Sequence, residues 1–194
     1  MDKLSQNYWN QRWMDGQTGW DLKDVSPPLK NLIDKWENVK SKVLIPGAGS
    51  GWEVSYLYEK GFTDIHICEW SSKAIEQFKN RMPSFPISNI HQMDFFELQG
   101  KFDWILEQTF FCALPVEKRA QYAAKMDQLL NSKGKLQGVL FDIDFQREGP
   151  PFGGSRREYE ALFSTYFTID VLETAKDSIA PRAGNELIFS FTKD

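Results

Sequence analysis

Three glycines at alternate positions, Gly47, Gly49 and Gly51, follow the apolar run Val43-Leu44-Ile45-Pro46. This reads as a buried strand that stops in a tight turn and restarts as a helix. Glycine lets such a turn bring backbone N–H groups against a ligand where a side chain would collide. Eighteen residues beyond Gly51, behind a second apolar run Ile65-His66-Ile67-Cys68, comes Glu69. A carboxylate at the tip of a second strand is placed to accept both hydroxyls of a ribose. The chemistry expected is the cradling of a nucleoside-type ligand.

The glycine spacing is G-x-G-x-G, not the G-x-G-x-x-G of dinucleotide enzymes, which points away from NAD and toward S-adenosylmethionine. Ligands of open α/β sheets sit beyond the carboxyl ends of the strands, so the other strand ends matter. Asp94 is suited to hydrogen-bond an adenine amino group, and Phe95 to flank the ring. Glu107 and Gln108 fall near the amino-acid end of such a cofactor. Trp9 and Trp13, four residues apart, share one helix face, and Thr18-Gly19-Trp20-Asp21 follows. Aromatic faces attract a sulfonium cation, so Trp9, Trp13 and Trp20 read as a lid over the cofactor. The loop Glu148-Gly149-Pro150-Pro151-Phe152-Gly153-Gly154 is suited to a hinged cover. Phe110, Phe111 and Phe152 would then form an apolar pocket beside the methyl group, fit for a soft nucleophile.

These positions require alternating strands and helices. Strands are expected at 42–46, 64–69, 87–92, 102–107, 135–143, 166–173 and 186–192, and helices at 50–60, 71–82, 116–131 and 155–164. Ser71 or Ser72 and Pro115 are suited to helix starts. Between the last two strands only 175–185 intervenes, too little for a helix, so they should pair as an antiparallel hairpin. The fold class expected is α/β: a Rossmann-like class I methyltransferase, a seven-stranded, mostly parallel sheet with an antiparallel last strand and helices on both faces. At 194 residues the chain fits one domain, 1–194, with residues 1–38 as a Trp-rich cap over the cofactor.

The net charge of −4 and the scattered Lys and Arg give no footprint for nucleic acid, which makes a small molecule the expected partner. The N-terminus has no apolar core for a signal peptide and no run approaches a membrane span, so a cytoplasmic protein is expected, with no membrane partner. Cys68 and Cys112 lack C-x-x-C spacing and the two histidines, His66 and His91, are well apart in the chain, so neither a disulfide framework nor a metal site is expected. No exposed apolar helix stands out as an interface, so a monomer is expected.

Together these residues resemble the thiopurine S-methyltransferase family, and within it the plant-type thiol and halide methyltransferases. The resemblance runs over nearly the whole chain: the Trp9-x-x-x-Trp13 arm, Thr18-Gly19-Trp20-Asp21, Leu44-Ile45-Pro46-Gly47-Ala48-Gly49, Asp94-Phe95-Phe96, Phe110-Phe111-Cys112-Ala113, Gly149-Pro150-Pro151-Phe152 and Ser178-Ile179-Ala180-Pro181-Arg182. It implies S-adenosylmethionine as cofactor, with S-adenosylhomocysteine as product, held at Trp9, Trp13, Trp20, Gly47, Glu69, Asp94 and Phe95. Where a plant-type member carries tyrosine after the fourth strand, this chain has Gln108, beside the acceptor.

The reaction expected is in-line methyl transfer to a thiol, bisulfide, thiocyanate or halide. Such acceptors are already nucleophilic, so positioning and desolvation can suffice without a general base. Arg182, in the Pro-Arg-x-Gly loop, is expected as an anion contact at the rim. The alternatives are a larger aromatic thiol such as a thiopurine, selenium or tellurium species, a nicotinamide oxidoreductase, and a non-catalytic cofactor-binding module.

Overall fold

The computed structural model of the chain describes residues 4–194. Its elements are α1 (Gln6–Met14), α2 (Pro27–Ile33), β1 (Val43–Pro46), α3 (Trp52–Glu59), β2 (Ile65–Cys68), α4 (Ser72–Arg81), β3 (Ile90–His91), β4 (Phe102–Gln108), α5 (Arg119–Leu129), β5 (Leu130–Phe141), α6 (Arg156–Phe163), β6 (Phe167–Thr174) and β7 (Glu186–Lys193). The seven strands form one sheet in the order β3-β2-β1-β4-β5-β7-β6. Only β7 runs against its neighbours, pairing antiparallel with both β5 and β6, as the missing crossover between the last strands requires. The order reverses direction between β1 and β4, so the connections leaving their carboxyl ends part there and open a crevice.

β1, in the middle of the sheet, buries both faces, which is why it reads as an unbroken apolar run. Leu44 and Ile105 face a core with Tyr122, Phe163, Phe189 and Phe191. Val43 and Ile45 face the other, with Leu29, Val54, Leu57 and Phe78. Ser71 caps α4 by accepting the Ala74 N–H at 3.2 Å, and Ser155 with Glu158 forms a capping box at α6.

Three elements differ from expectation. β3 is only two residues long, because Ile87–Asn89 forms a 3-10 turn in which Asn89 Nδ2 donates to the Ile65 carbonyl in place of a backbone ladder bond. β5 starts at Leu130, directly after α5, with a register shift where Leu130 pairs Phe102. α2 was not expected at all, although Ser26-Pro27-Pro28 places prolines at its first turn, where their missing N–H is harmless. The two histidines also meet: parallel pairing of β2 and β3 brings His66 Nδ1 within 3.0 Å of His91 Nε2, and Asp64 lies 2.9 Å from His66 Nε2.

Candidate active site

The turn after β1 keeps Gly47, Gly49 and Gly51 all in the left-handed region, with φ of 59°, 52° and 63°. A Cβ on Gly47 would strike the Phe110 ring at 2.5 Å, one on Gly49 would meet Trp13 at 3.1 Å, and one on Gly51 would strike Phe78 at 2.6 Å. Gly47 and Gly49 therefore serve the crevice, and Gly51 serves the packing of α3 on α4. Glu69, at the end of β2, is buried against this turn: Oε2 accepts the Gly49 N–H at 2.9 Å and Oε1 the Ser71 N–H at 2.8 Å. Burial raises its pKa, and those two amides oppose the rise. A carboxylate offers about four acceptor positions, so these bonds leave room for a ligand hydroxyl.

The N-terminal arm closes the crevice. Asn10 Oδ1 accepts the Ser71 hydroxyl at 2.8 Å, and Gln6 Nε2 donates to the Trp70 carbonyl at 2.8 Å, so α1 docks where β2 ends and α4 begins. Trp20 meets Trp13 edge-on at 6.0 Å and Trp9 edge-on at 5.7 Å. Trp13 and Trp20 line the crevice, while Trp9 braces Trp20 from behind. Asp21 then ties the arm to the glycine turn: its Oδ2 accepts the Ser50 hydroxyl at 2.6 Å and its Oδ1 the Trp52 indole N–H at 2.8 Å. Arg81 lies over the Trp52 ring at 4.2 Å and donates from Nε to the Ser50 carbonyl at 3.0 Å. Glu53, half-buried in the same wall, has its carboxyl pushed up to about 7, first by burial and then by the Asp21 charge, against its own backbone N–H and Arg81.

Asp94 spends Oδ1 on the Phe96 N–H at 2.9 Å, which stiffens the turn after β3. Phe95 is buried, edge-on to Phe110 at 5.1 Å, so it backs the ring that covers Gly47. Neither Asp94 nor Phe95 lines the crevice as closed here.

At the end of β4 the two polar residues part. Gln108 lines the crevice and its Oε1 accepts the Ser26 hydroxyl at 2.9 Å. Glu107 turns to the other face, fully buried, with Oε1 accepting the Phe110 and Phe111 N–H groups, both at 2.9 Å. Burial pushes its carboxyl up to about 7 despite those two amides. Thr109 between the faces has φ of 60°, unusual for a β-branched residue. Glu107, Thr109, Cys112, Phe141 and Glu186 enclose a second cavity of about 10 Å³ at the carboxyl ends of β4 and β5. The covering loop is docked beside it: the Phe152 N–H donates to the Cys112 carbonyl at 2.6 Å, and Arg119 Nη2 to the Gly153 carbonyl at 2.5 Å.

Four acceptor-pocket candidates sit elsewhere than expected: Phe110 lies over Gly47 and Phe152 in the covering loop, and neither lines the crevice or the second cavity. Phe111 belongs to the core, edge-on to Tyr122 at 4.9 Å and to Tyr159 at 5.7 Å, with no face on a pocket. Arg182 is not at a solvated rim but buried, 3.4 Å from Glu186 Oε1 and donating to the Trp20 carbonyl at 3.2 Å. Asp21, Ser50, Trp52, Glu53 and Thr109 also line the crevice, and the sequence reading gave them no role of their own.

S-adenosylmethionine asks for an amide-lined turn without Cβ atoms, a carboxylate for the ribose and aromatic faces for the sulfonium. Gly47–Gly49 and the Trp13–Trp20 corner line the crevice with such a turn and such faces, and the Glu69 carboxylate holds the turn from outside the lining. Sheet order, reversed β7 and this crevice define a class I S-adenosylmethionine-dependent methyltransferase. Residues 4–192 match the Thiopurine S-methyltransferase (TPMT) family, and the chain belongs to it. It is 30% identical to "Probable thiol methyltransferase 2" of Arabidopsis thaliana over 201 residues, covering 100% of this chain and 88% of that protein. It is 27% identical to Thiocyanate methyltransferase 1 of Brassica oleracea, covering 99% of this chain and 87% of the relative. Among solved structures it superimposes on a Burkholderia thailandensis 1,6-didemethyltoxoflavin-N1-methyltransferase with a TM-score of 0.76 at 18% identity, over 97% of this chain and 86% of that one, a likeness of fold. The cofactor is S-adenosylmethionine, and the chain is a methyltransferase enzyme. No helix among the described residues is long and apolar enough to cross a membrane.

Proposed function

We propose that the enzyme methylates a small soft nucleophile, a thiol or bisulfide, thiocyanate or halide, by in-line displacement. The observation that carries this reading is the size of the second cavity. As the site stands about 10 Å³ is left beside the crevice, and filling it takes less rearrangement for a small acceptor than for a fused heterocycle. The plant relatives named for thiol and thiocyanate support the same substrate class.

When bound, the cofactor supplies an electrophilic methyl group on a cationic sulfur. Gly47, Gly49 and Glu69 would hold its nucleoside end, with Asp94 and Phe95 at the adenine once the turn after β3 admits it. Gln108 and the Glu107 turn border its amino-acid end. Trp13 and Trp20 would offer aromatic surface to a cationic sulfur and would exclude water from the crevice they line, which strengthens charge interactions inside. Phe110 and Phe152 back the site with apolar surface, and orientation of the acceptor accounts for most of the acceleration.

The test is S-adenosylhomocysteine release with acceptors of increasing size: bisulfide, iodide, thiocyanate, 2-mercaptoethanol, thiophenol and 6-mercaptopurine. Turnover should be fastest among the small acceptors and fall at the aromatic thiols. Turnover of 6-mercaptopurine alone would overturn the small-acceptor reading.

A further inference from the structure

Glu107 is 0% exposed, and its two oxygens are treated differently. Oε1 holds the amides of Phe110 and Phe111. Oε2 is buried with no hydrogen-bond partner among the described residues. An unpaired buried acceptor costs about 1–3 kcal/mol, more when charged, so such an atom calls for an explanation in a ligand or a catalytic task. Glu107 lines the small cavity, and Thr109 lines both that cavity and the cofactor crevice. The strained Thr109 conformation is thus the hinge between the two spaces, and the Oε1 bonds to the next two amides fix it.

The charges around the cavity favour one kind of acceptor. Glu186 is matched by Arg182 at 3.4 Å, whereas Glu107 has no ion-pair partner among the described residues. Glu107 thus brings to the cavity lining a carboxylate with an unsatisfied acceptor oxygen and no ion-pair partner among the described residues. An anionic halide or thiocyanate has no proton to give that oxygen, while a neutral S–H group could offer its proton to Oε2.

We propose that Glu107 Oε2 is the general base for a neutral thiol acceptor, which makes the preferred substrate a small thiol or hydrogen sulfide instead of a preformed anion. The inference rests on the small-acceptor reading above. The S–H proton passes to Oε2, and the electron pair of that bond stays on sulfur. That sulfur forms the new S–CH3 bond while the old methyl–sulfur pair remains with the departing sulfide. The products are a thioether, S-adenosylhomocysteine and protonated Glu107, which returns its proton to water.

The groups packed about Glu107 are Cys112, Tyr122 from α5, Tyr159 from α6 and Glu186 from β7, while the guanidinium groups of Arg182 and Arg119 act on the neighbouring Cys112. Burial pushes Cys112, Tyr122 and Tyr159 up, so near neutrality these three stay uncharged and leave Glu107 as the one of the four that changes charge. Its carboxyl, pushed up to about 7, suits a base working at neutral pH.

The experiment compares the wild-type enzyme with Glu107→Gln, a substitution that keeps an oxygen for the Phe110 and Phe111 amides. The kcat/KM for 2-mercaptoethanol and for thiocyanate is followed against pH. Expected for wild type is a rise for the thiol through pH about 7, below the thiol's own ionisation at ~8.5 or above, and no such rise for thiocyanate. In Glu107→Gln the ratio of thiol to thiocyanate kcat/KM should fall roughly 100-fold, with that inflection lost. Independently of turnover, 13C NMR of carboxyl-labelled glutamate should show two resonances titrating near 7, those of Glu53 and Glu107, and the variant should keep only one of them. Equal losses for both acceptors, a thiol profile that tracks the thiol's own ionisation, or the absence of a resonance lost in the variant would each overturn the proposal. Should the variant fail to bind S-adenosylhomocysteine, the difference between the wild-type thiol and thiocyanate profiles decides it, since a group that acts on the cofactor would shape both alike. Thiocyanate turnover without any thiol turnover refutes the base and spares the small-acceptor reading. No turnover of either, with cofactor bound, refutes both.

Discussion

Trp13 lies so close over Gly49 that a Cβ on the glycine would come within 3.1 Å of the indole. The same glycine gives its N–H to Glu69 Oε2 at 2.9 Å. One residue without a side chain therefore joins the N-terminal arm, the turn after β1 and the tip of β2. The cofactor site is closed by this three-way contact, not by any of its parts alone.

Gly49→Ala tests that contact. Alanine at φ 52° is strained by about 1–2 kcal/mol, and its methyl pushes the Trp13 ring away from the turn. We expect S-adenosylhomocysteine affinity by calorimetry to fall at least tenfold, with a lower Tm. A change under twofold would show that the turn and the arm are independent.

Asp21 holds the arm down through Ser50 and Trp52. In Asp21→Ala both donors lose a charged acceptor, a contact worth on the order of 1.5–3 kcal/mol at full strength and less where water reaches it. The KM for S-adenosylmethionine should rise about tenfold with a smaller loss in kcat. Limited proteolysis should cut within residues 4–24 faster than in wild type. Unchanged cleavage would remove the latch from the account.

The Trp13–Trp20 corner should discriminate charge. Trp13→Leu keeps an apolar side chain but removes the ring quadrupole, so binding of cationic S-adenosylmethionine should weaken more than binding of S-adenosylhomocysteine. The expected difference is about 0.5–2 kcal/mol, or roughly 2- to 30-fold in the ratio of the two dissociation constants. An unchanged ratio would assign Trp13 to packing only.

Much of the fold is legible along the chain because its devices are local. The unbroken apolar β1, the glycine turn and the serine caps each declare themselves within a few residues. The lost residues of β3 are different, since Asn89 reaches the Ile65 carbonyl only after β2 and β3 have paired. The same holds for His66 and His91, 25 residues apart in sequence and 3.0 Å apart in space. That Trp13, Trp20, Gly47, Gly49 and Gln108 gather at one crevice was legible, because residue type and strand-end position suffice to bring them there. Asp21 and Glu53 were not, since their work depends on what Ser50, Trp52 and Arg81 bring to the other side. Arg182 looks like a loop cation in sequence, and only the returning Trp20 carbonyl shows it to be buried.

Glu53 gives a stability prediction with a defined sign. Its carboxyl is raised from 4.5 to about 7 in the folded chain, so the folded state binds the proton more tightly than the unfolded one. That contribution is fully present below the unfolded value and is lost as pH rises through the folded value. Glu53→Gln should therefore be nearly neutral at pH 4.5 and progressively stabilising toward pH 8, on the order of 1–2 kcal/mol, or roughly 2–8 °C in Tm. A Tm difference that does not vary with pH would contradict the burial argument.

The central claim is methyl transfer from S-adenosylmethionine to the sulfur of a small acceptor. It is tested most directly by supplying S-adenosylmethionine with a trideuterated methyl group and bisulfide in sealed vials, and measuring headspace methanethiol by mass together with S-adenosylhomocysteine in solution. The account predicts trideuterated methanethiol and S-adenosylhomocysteine in equal amounts, at a rate far above that of Glu69→Ala. Cofactor binding without labelled methanethiol, or S-adenosylhomocysteine formed at the same rate without bisulfide, would contradict it.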